Sequence, residues 1–95
     1  MKNTLLIVDD EKSIRETLKI ILSDSNYNIS TAKDGFEAID ILNNNIIDIL
    51  ITDLRMPKMD GIEMTRKIKN DVLLSHIPII LLTAKTDIEH QKEGF

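Results

Sequence analysis

The chain has no cysteine and no tryptophan, and its 95 residues include only one tyrosine, two phenylalanines, three glycines and two prolines. Without cysteine there is no disulfide framework, no thiolate metal site and no thiolate nucleophile. Three aromatic rings are too few for a base-stacking platform. The net charge of −4 also gives no electrostatic reason to expect direct contact with nucleic acid. The composition therefore argues against cysteine-dependent chemistry and against a nucleic-acid binder.

Long apolar runs are lacking as well. The longest ones, at residues 5–8 and 79–82, have the length of a strand and are far too short to span a bilayer. The N-terminus lacks the apolar core of a secretory signal, which predicts a cytoplasmic protein without membrane contact. The apolar share of 42% and the charged share of 29% are globular values. A chain of this size buries roughly 65% of its unfolded surface, enough for one small domain.

Short apolar runs alternate with amphipathic stretches along the chain. The predicted strands cover residues 5–8, 28–32, 48–52 and 79–83. The predicted helices begin near Ser13, Asp34, Gly61 and Thr86. Strands that are separated by helices are typical of parallel pairing through crossover connections. The sequence therefore predicts a single doubly wound α/β domain with helices on both faces, and the polar second strand is expected at a sheet edge.

The predicted helices begin with a common pattern, in which Ser, Thr or Asp is followed three positions later by Glu. This spacing is typical of a capping box at a helix N-terminus. The pairs are Ser13 with Glu16, Asp34 with Glu37, Asp60 with Glu63, and Thr86 with Glu89.

Polar side chains follow three of the four predicted strands. Asp9 and Asp10 follow the first strand, Asp53 follows the third, and Thr83 ends the fourth. In an open parallel sheet these strand ends share one edge, where ligands bind. Carboxylates that are brought together repel one another and favour a cation, and an oxygen-only set suits Mg²⁺. Because a carboxylate can also act as a nucleophile, the pattern indicates phosphoryl transfer to an aspartate.

Each of these residues also has a plainer interpretation. An Asp after a strand is usually a turn residue or a helix N-cap, and a Thr at a strand end reflects ordinary β propensity. Turn formation alone does not require acidic or hydroxyl residues at three of four strand ends, so the joint pattern favours a metal and phosphate site.

Three blocks of the sequence resemble the receiver domain of two-component response regulators. They are VDDE at 8–11, ITDLRMPKMDG at 51–61 and IILLTA at 79–84, and their order and separation match as well. The resemblance covers the whole chain. It implies a flavodoxin-like receiver fold with strand order 2-1-3-4 and a cytoplasmic signalling module rather than an enzyme.

The resemblance implies a role for each acidic residue. Asp53 matches the phosphoacceptor, which takes a phosphoryl group from a sensor histidine kinase or a phosphotransfer protein. Asp9 and Asp10 match the pair that positions Mg²⁺, with Asp10 binding the metal directly and Asp9 acting mostly through water. The backbone carbonyl of Arg55 matches the third protein ligand, beside Asp53 itself.

Two more matching residues belong to the switch of the family. Thr83 corresponds to the hydroxyl that moves toward the phosphoryl oxygens, and Ala84 to the small residue beside them. Phosphorylation adds negative charge and acceptor oxygens, so movement of Thr83 would shift the segment 85–95. Pro57 and Gly61 are expected to shape the loop, since proline fixes φ and glycine permits a close approach.

The fifth strand of the family carries an essential lysine and an aromatic switch partner, and this chain ends before it. Neither Lys58 nor Lys85 matches the position of that lysine. The expectation is therefore a receiver domain over residues 1–95 that is incomplete at its C-terminus, without the fifth strand and fifth helix. The apolar fourth strand then becomes an edge that invites pairing with another chain, which predicts a homodimer or aggregation.

Two alternatives stay open at this point. One is a Mg²⁺-dependent phosphatase or phosphotransferase of the haloacid-dehalogenase type, which also uses a nucleophilic aspartate. Those enzymes carry it after the first strand in an Asp-x-Asp pattern, whereas Asp9 and Asp10 are adjacent here. The other is an inactive structural fragment, because the lysine is missing.

Overall fold

The computed structural model describes residues 3–23, 26–54, 56 and 59–82. The strands in this part of the chain are β1 (Asn3–Val8), β2 (Tyr27–Ala32), β3 (Ile49–Asp53) and β4 (Ile79–Leu82). The helices are α1 (Lys12–Leu22), α2 (Gly35–Asn44) and α3 (Gly61–Lys69). The predicted fourth helix lies outside the described residues. None of these helices combines the length and the apolar character that a membrane span requires.

The four strands form one parallel sheet with the order β2-β1-β3-β4. This confirms the predicted strand order, with the polar β2 at one edge. The last four residues of the central strand β1 are all buried. A continuous apolar run suits a strand of this kind, because both of its faces are covered.

The main core lies between the sheet and the helices α2 and α3. Leu6 and Val8 point to this side, because alternate residues of a strand share a face. The helices contribute Ala38, Leu42, Met64 and Ile68 to the same cluster. Leu5 and Ile7 are buried outside this cluster, on the face of the sheet opposite α2 and α3. Helix α1 contributes no fully buried residue.

Two of the predicted helix starts are confirmed by their hydrogen bonds. The Asp34 carboxylate accepts a bond of 2.8 Å from the backbone N–H of Glu37 at the start of α2. The Asp60 carboxylate accepts an equivalent bond of 2.8 Å from Glu63 at the start of α3. Each aspartate therefore satisfies a backbone donor that the helix itself leaves without a partner.

The predicted start of the first helix is wrong. Helix α1 begins at Lys12, and Glu11 occupies the N-cap position without a side-chain capping bond. Ser13 lies inside the first turn. The reason is in the preceding turn, where the carboxylate of Asp9 accepts a hydrogen bond of 2.9 Å from the backbone N–H of Glu11. This bond sets the entry into the helix before Ser13 is reached.

Candidate functional site

The register of the two central strands brings the predicted acidic residues together. Val8 of β1 pairs with Thr52 of β3, so Asp9 and Asp53, the next residues, meet at the carboxyl edge of the sheet. One carboxylate oxygen of each of Asp9, Asp10 and Asp53 lies within 4.8 Å of the others. The structure therefore unites two acidic segments that are more than forty residues apart in the sequence.

The three carboxylates differ in their exposure. Asp9 and Asp53 are each only 3% exposed, whereas Asp10 is exposed. The set offers oxygen ligands only and has one side open to solvent. Mg²⁺ prefers carboxylate oxygens and retains several of its waters, so it needs both features. The residues present therefore fit a magnesium ion.

Asp9 is held at three of its atoms. Its backbone N–H donates to the carbonyl of Ala32 in β2 at 3.1 Å. Its carboxylate accepts from the N–H of Glu11 at 2.9 Å, and its carbonyl accepts from Nη1 of Arg15 at 2.7 Å. The turn between β1 and α1 is thus anchored to the neighbouring strand on one side and to the helix on the other.

Sequence reasoning missed Arg15. This residue lies in α1, six positions after Asp9, and no motif includes it. Side chains of a helix lean toward its N-terminus, so a long side chain in the first turns can reach the loop before the helix. An arginine at this distance after a strand-end aspartate was the only available signal.

The N-terminus of α3 lies directly against the end of β3. The backbone N–H of Gly61 donates to the carbonyl of Leu54 at 2.9 Å. A Cβ atom at Gly61 would lie 2.5 Å from the carbonyl oxygen of Asp53 and 3.0 Å from Cα of Leu54. The close approach predicted for Gly61 is therefore present, and it concerns the backbone of the candidate phosphoacceptor itself.

The remaining predicted site residues lie outside the described part of the chain. These are Arg55, with its carbonyl ligand, Thr83 and Ala84. Their roles stay predictions. The described neighbour of Thr83 is Leu82, which pairs with Asp53 in the ladder of β3 and β4 and accepts a hydrogen bond of 3.1 Å from Leu54.

Comparison with known proteins places the site in a family context. The sequence model of the family described as the response regulator receiver domain matches residues 5–95 of this chain. The chain is 36% identical over 90 residues to the response regulator MprA of Mycobacterium sp. (strain KMS), covering 95% of this chain and 38% of that protein. It is 40% identical over 93 residues to histidine kinase P4 of Formosa agariphila, covering 98% of this chain and 7% of that protein. The chain thus spans less than half of the length of these curated relatives.

Solved structures show the same fold. The chemotaxis response regulator CheY4 of Vibrio cholerae superposes with a TM-score of 0.85 at 34% identity, over 99% of this chain and 78% of that one. A putative response regulator from Chloroflexus aurantiacus gives a TM-score of 0.87 at 35% identity, over 100% of this chain and 78% of that one.

Proposed function

The chain belongs to the response regulator receiver domain family, and we propose that it acts as a phosphoacceptor in two-component signalling, with Asp53 as the acceptor. One observation carries the proposal: the carboxylates of Asp9, Asp10 and Asp53 converge within 4.8 Å at the carboxyl edge of the sheet. In such a cluster one carboxylate can accept the phosphoryl group while the others hold the metal.

The proposed step transfers a phosphoryl group to a carboxylate oxygen of Asp53. When the donor is a phosphohistidine, a new P–O bond forms and the P–N bond breaks. The imidazole leaves with the bonding electron pair and takes up a proton. Asp53 is the last residue of β3 and pairs with Leu82 of β4, which fixes its main chain for this attack. Such transfer depends on positioning and charge neutralisation more than on covalent help from the protein.

The proposed metal ligands are the carboxylates of Asp10 and Asp53 and the carbonyl of Arg55, with Asp9 acting mostly through water. Bound Mg²⁺ would neutralise the negative charge that gathers on the phosphoryl oxygens. The exposed position of Asp10 supports its role as a direct ligand, because an incoming ion meets this carboxylate first.

The proposed partner is a sensor histidine kinase or a phosphotransfer protein in the cytoplasm. Thr83 is proposed to move toward the phosphoryl group, with Ala84 leaving room beside it, so that the following segment presents a changed surface. The domain would act as a switch and would make no direct contact with nucleic acid. Receiver domains as a class are signalling modules rather than conventional enzymes.

The position of the nucleophile favours this proposal over a phosphatase of the haloacid-dehalogenase type. In that type the nucleophile follows the first strand. Here β1 is followed by adjacent aspartates rather than by an Asp-x-Asp pair, and a third aspartate, Asp53, ends the neighbouring strand β3. The arrangement therefore supports a cluster in which Asp9 and Asp10 serve the metal.

Acetyl phosphate and Mg²⁺ provide a direct test. We expect the intact mass of the chain to rise by one phosphoryl group, with acetate as the leaving group. Asp53→Asn keeps the shape of the side chain and should abolish the adduct. Asp34→Asn is the matched control, because asparagine caps a helix as well as aspartate does and, in the described part of the chain, the side chain of Asp34 serves as the N-cap of α2.

Each outcome of this experiment bears on the proposal. An adduct that persists in Asp53→Asn would contradict the assignment of the acceptor. Turnover of many equivalents of donor by one chain would favour the phosphatase. No adduct at any concentration of Mg²⁺ would overturn the proposal in favour of an inactive fragment.

A further inference from the structure

We infer that Arg15 is a positioning residue for the metal ligands, because its guanidinium holds the turn that carries Asp9 and Asp10. The inference rests on the proposed function for the identity of the metal. Its own basis is the bond of 2.7 Å that Nη1 of Arg15 donates to the carbonyl oxygen of Asp9.

The contact joins a half-buried arginine of α1 to the main chain of an almost fully buried aspartate. A hydrogen bond from a charged donor is shorter and stronger than a neutral one. The bond is directed at the backbone, so it restricts the peptide between Asp9 and Asp10. The orientation of that peptide decides where the side chain of Asp10 points. Arg15 therefore acts on the exposed ligand through the main chain.

A second bond closes the same turn from the other side. The backbone N–H of Arg15 donates to the carbonyl of Glu11 at 3.1 Å, and the N–H of Glu11 donates to the carboxylate of Asp9 at 2.9 Å. These hydrogen bonds form a closed ring through Asp9, Glu11 and Arg15. Asp10 lies in the turn that the ring encloses, between Asp9 and Glu11. Removal of the guanidinium breaks the bond from Arg15 to the carbonyl of Asp9 and so opens the ring. Among the three bonds, it is the one that a helix side chain donates.

The charge of Arg15 and its hydrogen bond have opposite effects on a cation. A positive charge beside the acidic cluster repels Mg²⁺, so its removal should tighten metal binding by electrostatics alone. Loss of the hydrogen bond should weaken binding, because the carboxylates are less well ordered before the metal arrives. Mutation of groups that orient metal ligands typically weakens metal binding by about 10-fold to 100-fold. The sign of the change therefore distinguishes positioning from simple charge.

The test is a titration of the full chain with Mg²⁺, in which the NMR chemical shift of the Glu11 amide reports metal binding. For Arg15→Met, which keeps an apolar stem of similar length, we expect binding to weaken by about tenfold. Arg15→Lys keeps a donor at the end of a flexible stem and should recover part of the loss. Exchange of the Glu11 amide with solvent, measured without metal, should become faster in Arg15→Met and return toward normal in Arg15→Lys.

Lys19→Met is the matched control. Lys19 lies one helical turn after Arg15 and lines the same groove between α1 and β2, but its side chain forms no hydrogen bond or ion pair with the described residues. Its replacement removes the same charge from the same helix, so the affinity for Mg²⁺ should stay constant or increase slightly. A general loss of stability in Arg15→Met would lower the urea midpoint without changing the metal affinity of the folded chain.

The outcomes separate this inference from the proposed function. If the unchanged chain binds Mg²⁺ and Arg15→Met binds it equally or more tightly, Arg15 is not a positioning residue, and the proposed function is unaffected. If the unchanged chain does not bind Mg²⁺, the metal role in the proposed function fails and this inference fails with it. Weaker binding in Lys19→Met by the same factor would not come from charge, because loss of a positive charge tightens binding; it would assign the effect to a general disturbance of α1 and would also overturn the inference.

Discussion

Replacement of Gly61 by alanine should disturb the site through the backbone of Asp53. Gly61 is the first residue of α3 and is buried. An added Cβ would lie 2.5 Å from the carbonyl oxygen of Asp53, 3.0 Å from Cα of Leu54 and 3.3 Å from the carbonyl carbon of Asp53. All three atoms belong to the main chain at the end of β3, so no side chain can rotate away. Either α3 or the end of the strand must move.

The size of the effect follows from a matched pair of glycines. Gly35 has the same place in α2 as Gly61 has in α3, since each follows an aspartate N-cap and is buried. The three atoms nearest to a Cβ at Gly35 would all belong to the side chain of Met59, with Sδ at 2.8 Å and Cβ and Cγ at 3.1 Å. A methionine side chain adapts readily. Overpacking typically costs about 1–3 kcal/mol, and alanine regains less than about 1 kcal/mol of helix propensity. We expect Gly61→Ala to lose about 1–2 kcal/mol of unfolding free energy, and Gly35→Ala to lose much less or nothing.

Urea denaturation of both variants measures the difference in unfolding free energy, and Mg²⁺ titration measures the consequence at the site. Gly61→Ala should bind the metal more weakly, because the displaced backbone carries the Asp53 carboxylate, whereas Gly35→Ala should bind it like the unchanged chain. The reasoning is refuted if Gly61→Ala is as stable as Gly35→Ala, or if the two variants bind Mg²⁺ equally.

Two further predictions concern the acidic pair and the sheet edge. Asp10→Ala should weaken Mg²⁺ binding more than Asp9→Ala does, because Asp10 is exposed to the incoming ion while the Asp9 carboxylate is buried against the Glu11 amide; equal titrations would contradict this. Within the described residues β4 is an edge strand, and its Ile80 is 49% exposed. Sedimentation at high concentration should show self-association, and Ile80→Lys should abolish it. The control Ile62→Lys places the same charge on helix α3 and should leave the self-association intact. A stable monomer of the unchanged chain would contradict the prediction.

The order of the strands and the convergence of the aspartates could be predicted because both depend on pattern. Alternating apolar runs and amphipathic stretches require parallel strands, and parallel strands bring Asp9 and Asp53 to one edge. The boundaries were less accurate. The sequence pattern predicts the third strand at residues 48–52, whereas the structure has it at Ile49–Asp53. Asp48 instead uses its carboxylate to accept a bond of 2.7 Å from the N–H of Thr4.

That shift of one residue has a chemical consequence. Asp53 is the last residue of the strand rather than the first of a loop, so its main chain is fixed by pairing with Leu82. The contribution of Arg15 could not be predicted from a local pattern, since it depends on the reach of a side chain back across the turn that precedes its helix. The failure at Ser13 has the same origin, because the turn before α1 is set by Asp9. In both cases a hydrogen bond to Asp9, at the end of β1, determines the local structure, and the residue types in the sequence do not reveal that bond.

The acidic cluster also explains why the turn around it is so extensively bonded. Two carboxylate charges at the upper limit of 4.8 Å repel each other by about 1 kcal/mol in a water-like medium and by about 3.5 kcal/mol at an effective dielectric constant of 20, and closer charges repel more strongly. Three such charges would separate if their backbones could move. They are held by the bonds at three atoms of Asp9 and, at Asp53, by strand pairing and by the hydroxyl of Thr52, which donates to its carbonyl at 3.0 Å. A cation that enters this site therefore meets ligands already in position, and its binding relieves the repulsion that the fold has maintained. A domain built in this way should be more stable with Mg²⁺ than without it, and the gain should depend on the same backbone contacts that keep the charges together.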